Sequence, residues 1–527
     1  MPTGYLCLVL HAHLPYIRHP EYEYFLEEQW LYEAITETYI PLLETMENLL
    51  EDNIDFRLAV SLSPTLLEML NDHLLQCRYQ HYLARKIELA DKEITRLRSD
   101  PEFLPVARMY KKKFEKTRSL YEVRCKKDIA GVFKRIQESG KVEIITTAAT
   151  HGFLPNLSVN PESVKAQVYA AADCYRRNFG RSAQGMWIPE CGYYPGLDNI
   201  LKEAGIRYFF LDTHGLIFGR PAPKYGTYLP ARCPSGVVAF GRDADSAKEV
   251  WSSVEGYPGD YNYREYYRDI GFDLPLEYVK PYIHPDGIRI NTGMKYYRIT
   301  GKTHDKKPYK KKKAIEKAKE HADNFISNRA RQIKYITGLF DIKPVITATY
   351  DAELFGHWWF EGPYWLDFLI RKIASDSKII KLITPSEYLD LNTALQTVMP
   401  TQSSWGWKGY SEVWLNDSNE WIYPHLHKAA GRMAELAREY PSASGILLRA
   451  LNQAARELLL AQSSDWAFIM KMKTAVDYAK KRNKEHLERF DVLYNSIKNG
   501  LIDEGWLSSI ERKDNIFKEI DYKIYRM

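Results

Sequence analysis

The chain has 527 residues, 45% of them apolar and 27% charged, and a net charge of +5 at pH 7. These are values of a soluble-type globular protein with room for about two or three domains. So small a positive excess, with aromatic residues outside the basic runs, argues against a nucleic-acid partner. No stretch reaches the roughly 18–20 uncharged apolar residues of a membrane span.

The opening "MPTGYLCLVLHAHLPY" has no basic n-region and its apolar run breaks at His11, so no signal peptide is expected. The six cysteines form no CxxC pair, which fits reduced thiols in a cytoplasmic protein. The 38 tyrosines and 12 tryptophans suit sugar surfaces, which are likewise apolar on the face and polar at the edge. A tyrosine-rich thermostable surface would give the same composition.

In chain order, short runs rich in β-branched and aromatic residues predict strands at 5–13, 56–64, 142–152, 185–190, 207–215, 237–243, 343–351 and 379–387. Most are continuous rather than alternating, as parallel strands buried on both faces require. Helical patterns closed by glycines separate many of them, such as "VKAQVYAAADCYRRNFG" and "GLDNILKEAG". Repeated strand–helix units predict an α/β fold, a TIM-type barrel. Between the second and third runs, charged amphipathic segments predict an inserted helical subdomain at about 65–120. The lysine run at 305–325 keeps helical spacing at Ile315, Ala318, Ala322 and Phe325, so its lysines are read as a solvated face. The barrel is expected over 1–398. From 399 to 527 the pattern turns helical, and its first stretch, "SSWGWKGYSEVWLNDSNEWIYPHL", carries four tryptophans.

His11, His13, His151, Glu190, Asp212, His214, Arg242 and Asp351 all fall at or just beyond predicted strand C-termini, the rim where barrel enzymes build their sites. Glu190 in "GMWIPECGYYPG" and Asp351 in "TATYDAELFGHWW" are each set among aromatic residues, a setting that suits glycoside chemistry. One carboxylate would attack the anomeric carbon and the other protonate the leaving oxygen, at about 5–5.5 Å for retention or about 6.5–9.5 Å for inversion. "HAHLPY" also permits a zinc site, with His151 and His214 completing it, in a metal-dependent hydrolase. A catalytically silent glucan-binding protein would keep the tryptophans and tolerate loss of Glu190.

"HAHLPY", "ATHGFLP", "WIPECGYYPG", "TYDAELFGHWW" and "SSWGWKGYSEVWLND" resemble, in order, the five motif regions of glycoside hydrolase family 57, and most closely its 1,4-α-glucan branching enzymes and their amylase-like relatives. The resemblance implies an incomplete (β/α)7 barrel with an inserted helical region and a C-terminal helical domain. It implies a retaining mechanism with no metal or cofactor. By motif position, Glu190 resembles the nucleophile and Asp351 the acid/base, while His11, His13 and His151 resemble donor-subsite histidines. Arg242, Trp251, Gly259, Trp405, Trp414 and Asp465 resemble substrate contacts. Packing at the barrel end would equally account for Trp251 and Trp414, and a turn for Gly259. The partner implied is an α-1,4-glucan, bound by a monomer or small homo-oligomer. Branching members are similar in carrying an aromatic-tipped loop ahead of the "GRD" strand. The stretch here, 215–236, reads as compact, with Tyr225 and Tyr228 as its tip candidates. That predicts branching accompanied by appreciable hydrolysis, with a retaining α-amylase as the alternative.

Overall fold

The computed structural model of the protein describes residues 2–526. Nine strands run β1 (Gly4–Ala12), β2 (Leu58–Leu62), β3 (Val142–Thr147), β4 (Gly185–Trp187), β5 (Tyr208–Leu211), β6 (Ala231–Arg232), β7 (Val238–Gly241), β8 (Val345–Asp351) and β9 (Ile380–Leu382). Each of the eight predicted runs holds one of them. Only β6 had no signal, because two residues are too few to carry a pattern.

The sheet order is β6-β7-β5-β4-β3-β2-β1-β8, with β9 against the start of β1. From β7 to β8 the seven strands are all parallel, and β6 is the antiparallel exception. This is an incomplete (β/α)7 barrel. β7 and β8 do not pair with each other; the Asp243 amide just after β7 donates to the Thr347 carbonyl in β8 (2.9 Å). Every residue of β1 and β2 is buried, which is why their sequences run continuously apolar. Register sets His11 opposite both Ser61 and Asp351. The end of β1 is thereby fixed between two other site-bearing strand ends.

Between β2 and β3 the chain forms helices Pro64–Leu70, His73–Arg96, Leu104–Ser119 and Ile129–Glu138. Ser63, Asp72 and Asp128 cap the first, second and fourth through their side chains, satisfying free N-terminal amides. The two long helices share a small core with the tyrosine-rich stretch that follows β7: Ile87, Val106, Tyr110 and Phe114 pack with Ile270, Tyr282, Met294 and Tyr296. The helix joining β1 to β2 (28–51) contains a π turn at Ile35–Tyr39. In the lysine-rich helix Lys311–Leu339, Ala314, Ala318, Ala322 and Phe325 are buried while Lys311, Lys312 and Lys313 are exposed, the solvated face expected.

After residue 421 come helices Ile422–Glu439, Gly445–Ala461, Ser464–Met472, Val476–Asn499 and Glu504–Lys513. The continuous pattern from 445 to 470 is broken at Gln462–Ser463, where Gly152 and Ser463 form a β-bridge to the barrel.

The loop between β5 and β7 departs from expectation. Arg220 exchanges two backbone hydrogen bonds with Met399, and Tyr225 packs against Phe340. The Tyr228 carbonyl accepts from Val345, the first residue of β8, whereas Asp351 is the last. Seven residues of strand separate those ends by about 20 Å. Tyr225 and Tyr228 therefore lie toward the N-terminal end of the barrel and cannot tip a lid over the carboxylates. The loop goes there because the chain must return to that end to begin the next parallel strand.

Candidate active site

Glu190 lies three residues beyond β4 on a 3-10 turn, in the left-handed region at φ +61°. Cys191 (φ +50°) and His151 (φ +57°) share this conformation. Each such non-glycine residue costs on the order of 1–3 kcal/mol and persists only where its surroundings fix it. For Glu190 the surroundings are explicit. Its carbonyl accepts from the Trp405 amide (2.8 Å), its Oε2 from the Trp405 indole N–H (2.7 Å), and its Oε1 from the Ser464 hydroxyl (2.8 Å). The residue is 8% exposed. Two donors orient the carboxylate and leave its remaining lone pairs for an electrophile.

Three imidazoles stack beside it. His11 lies over Trp187 (centroids 4.7 Å apart), and the rings of His13 and His151 are 3.9 Å apart. His11 Nε2 and His151 Nε2 are 3.0 Å apart, one donating and the other accepting, while the other nitrogen of each reaches Ser61 (3.1 Å) and Ser464 (3.0 Å) respectively. Burial, then the neighbouring His151 and His13, pushes His11 well below the usual histidine range. His151 is also lowered, by burial and by the charge of His13.

His13 goes the other way. Burial alone would lower it, but the Asp465 carboxylate, at 3.0 Å from Nε2, raises it. Asp465 is correspondingly held low: burial opposes its charge, and His13 overrides burial. Of the three imidazoles, His13 is the one whose charged form its surroundings favour, opposite Asp465.

Asp351 ends β8, and the 3-10 turn Ala352–Leu354 follows it directly. Burial, reinforced by the charges of Glu353 and Glu190 and opposed by Arg242 and His13, pushes it up to about 8. A carboxyl that keeps its proton at neutral pH beside a second carboxylate is the asymmetry that divides acid and nucleophile roles. Arg242, just past β7, spreads its guanidinium over the Trp405 ring (5.5 Å) and lies 3.9 Å from Asp212.

Of the residues singled out in the sequence, Glu190, Asp351, His11, His13, His151, Arg242, Trp405 and Asp465 come together here. Four do not join them. Trp414 is 1% exposed and stacks on Phe153 (4.8 Å), so its faces are covered by protein and its role is packing. Gly259 sits where a Cβ would lie 2.1 Å from the Ser253 carbonyl oxygen, so close backbone approach accounts for glycine there. Trp251 ends the helix Ala244–Trp251 with its ring 43% exposed. His214 accepts or donates no bond within the cluster; its Nε2 donates to the Gly409 carbonyl (2.8 Å) and so holds the tryptophan loop. Sequence reasoning missed Ser464, the neighbour of Asp465 in "SSDW", and Glu353 and Tyr39, whose partnership depends on the π turn.

Trp405→Phe keeps the ring and removes its N–H, and is expected to lower kcat roughly 10- to 100-fold with little change in KM. A charge-assisted hydrogen bond of about 1.5–3 kcal/mol sets that range. Steady-state rates read it.

A parallel barrel with two unequal carboxylates, a histidine stack and an indole at its C-terminal rim defines an enzyme of glycoside chemistry. Residues 7–402 match the model of glycosyl hydrolase family 57, and residues 425–525 match that of the 1,4-alpha-glucan branching enzyme C-terminal region. The chain belongs to glycosyl hydrolase family 57. A 1,4-alpha-glucan branching enzyme of Thermococcus kodakarensis is 32% identical over 98% of this chain and 78% of its own. Among solved structures, the alpha-amylase AmyC of Thermotoga maritima superposes with a TM-score of 0.93 at 45% identity, covering 99% of each chain. The family 57-type branching enzyme of Pyrococcus horikoshii superposes with a TM-score of 0.90 at 34% identity, covering 100% of this chain and 97% of its own.

Proposed function

We propose that the protein is a 1,4-α-glucan branching enzyme with appreciable hydrolytic activity. It cleaves an α-1,4 link of a linear glucan and passes the chain to a 6-hydroxyl by retaining double displacement. The observation that carries this reading is the branching-enzyme C-terminal match at 425–525, because that segment supplies Ser464 to Glu190 and Asp465 to His13. Glu190 attacks the anomeric carbon while Asp351 gives its proton to the departing oxygen. Asp351 then takes a proton from the incoming hydroxyl as the covalent glucosyl ester is released. His11, His13, His151, Arg242, Trp405 and Asp465 line the donor side, and Trp251 with the 62% exposed Trp407 offers surface to a glucan beyond it.

The domain reading that accompanies this is a barrel over 1–398, a helical insertion at 65–120 and a helical domain from 399 to 527. A cytoplasmic setting and a part in glycogen synthesis are proposed with it; among the described residues all six cysteines are unpaired, and no helix is long and apolar enough to cross a membrane.

A retaining α-amylase is the second reading. It is favoured by the 45% identity to AmyC and by the position of Tyr225 and Tyr228, which cannot close over the carboxylates to exclude water. Proton NMR of amylose digested by the enzyme decides between them by counting new α-1,6 linkages against new reducing ends. Transfer makes α-1,6 linkages and no new reducing ends, and the accompanying hydrolysis adds reducing ends no faster than linkages appear; reducing ends alone make it an amylase. The same digestion run with a chelator tests the zinc alternative, and its rate is expected to be unchanged, since His11, His151 and His13 Nε2 are already engaged with protein partners.

A further inference from the structure

The helix Glu28–Glu51 would run regularly but for the π turn Ile35–Tyr39. One extra residue in a helical turn shifts the face on which the following side chains emerge, and such turns are frequent at functional sites. Two side chains of this turn reach the loop that follows Asp351. Glu37 pairs with His357 (2.8 Å), and the buried Tyr39 phenol donates to Glu353 Oε1 (2.5 Å). The same oxygen accepts the His13 backbone amide (3.2 Å). Glu353 is therefore pinned from two elements, β1's C-terminal extension and the π turn. It stands two residues from Asp351, on the turn that starts there.

We propose that Glu353 is a positioning residue for the acid/base step: Tyr39 and the His13 amide fix its carboxyl group on the turn that begins at Asp351, where it steadies the acid that meets the glycosidic oxygen. This rests on the reading of Asp351 as the acid/base. Among groups facing Asp351, Glu353 and Glu190 discourage its ionisation, and Arg242 and His13 favour it. Glu37 is balanced by His357 and Arg264 rather than acting on Asp351. Glu353 is itself raised by burial, with the Tyr39 phenol, its own backbone and His13 holding it down. Loss of the Tyr39 bond would thus weaken the charge as well as free the side chain.

A purely architectural role predicts something different. Glutamine offers the same acceptor oxygen to Tyr39 and His13, so Glu353→Gln changes charge and little else. The test is the pH profile of kcat/KM on amylose for wild type, Glu353→Gln, Tyr39→Phe and Asp351→Asn. Glu353→Gln is expected to move the alkaline limb to lower pH by roughly half a unit or more, the scale of a near like charge. Tyr39→Phe should move it in the same direction by less, and serves if the glutamine variant fails to fold. An alkaline limb that stays in place in the folded variants, with Asp351→Asn inactive, overturns the role of Glu353. Wild-type activity in Asp351→Asn would instead overturn the acid/base reading itself.

Discussion

Glu190→Gln should leave a folded protein that no longer cleaves glucan, with kcat reduced by roughly 10⁴-fold or more, the scale of losing a covalent nucleophile. The substitution is nearly isosteric and still presents an oxygen to the Trp405 indole, so circular dichroism and Tm should change little. A second variant separates nucleophilic attack from other uses of the carboxylate. Glu190→Gly places glycine where the backbone is left-handed, which relieves strain, and opens space for a small anion. Azide should restore turnover of an activated maltosyl donor and yield a glycosyl azide of inverted anomeric configuration. Residual activity within tenfold of wild type in Glu190→Gln would remove this residue from the covalent step.

Asp351→Asn is expected to fall nearly as far on amylose, by roughly 10³-fold or more, because a sugar hydroxyl leaves poorly without protonation. Maltosyl fluoride needs no such help, so its consumption should fall far less. The ratio between the two substrates identifies the acid. In the wild type, the rate should decline as pH rises through about 8, where Asp351 loses its proton. The linkage sign is definite. The folded value exceeds the unfolded one, so Asp351's contribution to stability is complete below the ordinary carboxylate range, is lost as pH climbs, and is gone above about 8. Asparagine carries no such penalty, and the variant's Tm at pH 7 is expected to rise. An equal loss on both substrates, or an unchanged alkaline limb, would contradict the assignment.

The barrel was legible because its strands are buried on both faces and so write continuous apolar runs into the chain. Their C-terminal ends were legible with them, which brought Glu190, Asp351 and the three histidines into view together. Three things were not. The left-handed backbone at Glu190 and His151 leaves no mark in residue type, since neither position holds the glycine that usually signals it. Ser464 reaches the site because a helix breaks at 462–463, inside a pattern that reads as unbroken. The pairing of Tyr39 with Glu353 spans 314 positions and depends on a single added residue in a helical turn. The members of the tryptophan-rich loop divide. Trp405 serves the carboxylate, Trp414 is packed away and Trp407 is open to solvent.

The two donors to Glu190 have a consequence for how this enzyme can be divided or recombined. The family 57 match ends at residue 402, before either Trp405 or Ser464. Glu190 is thus carried by one stretch of chain and aimed by another, and neither stretch alone holds the whole arrangement. Cleavage rate is then a property of the seam. In a chimera joining this barrel to a relative's C-terminal half, turnover would report how well the two halves fit, and evolution could adjust the output of an unchanged barrel by altering only the piece that docks onto it.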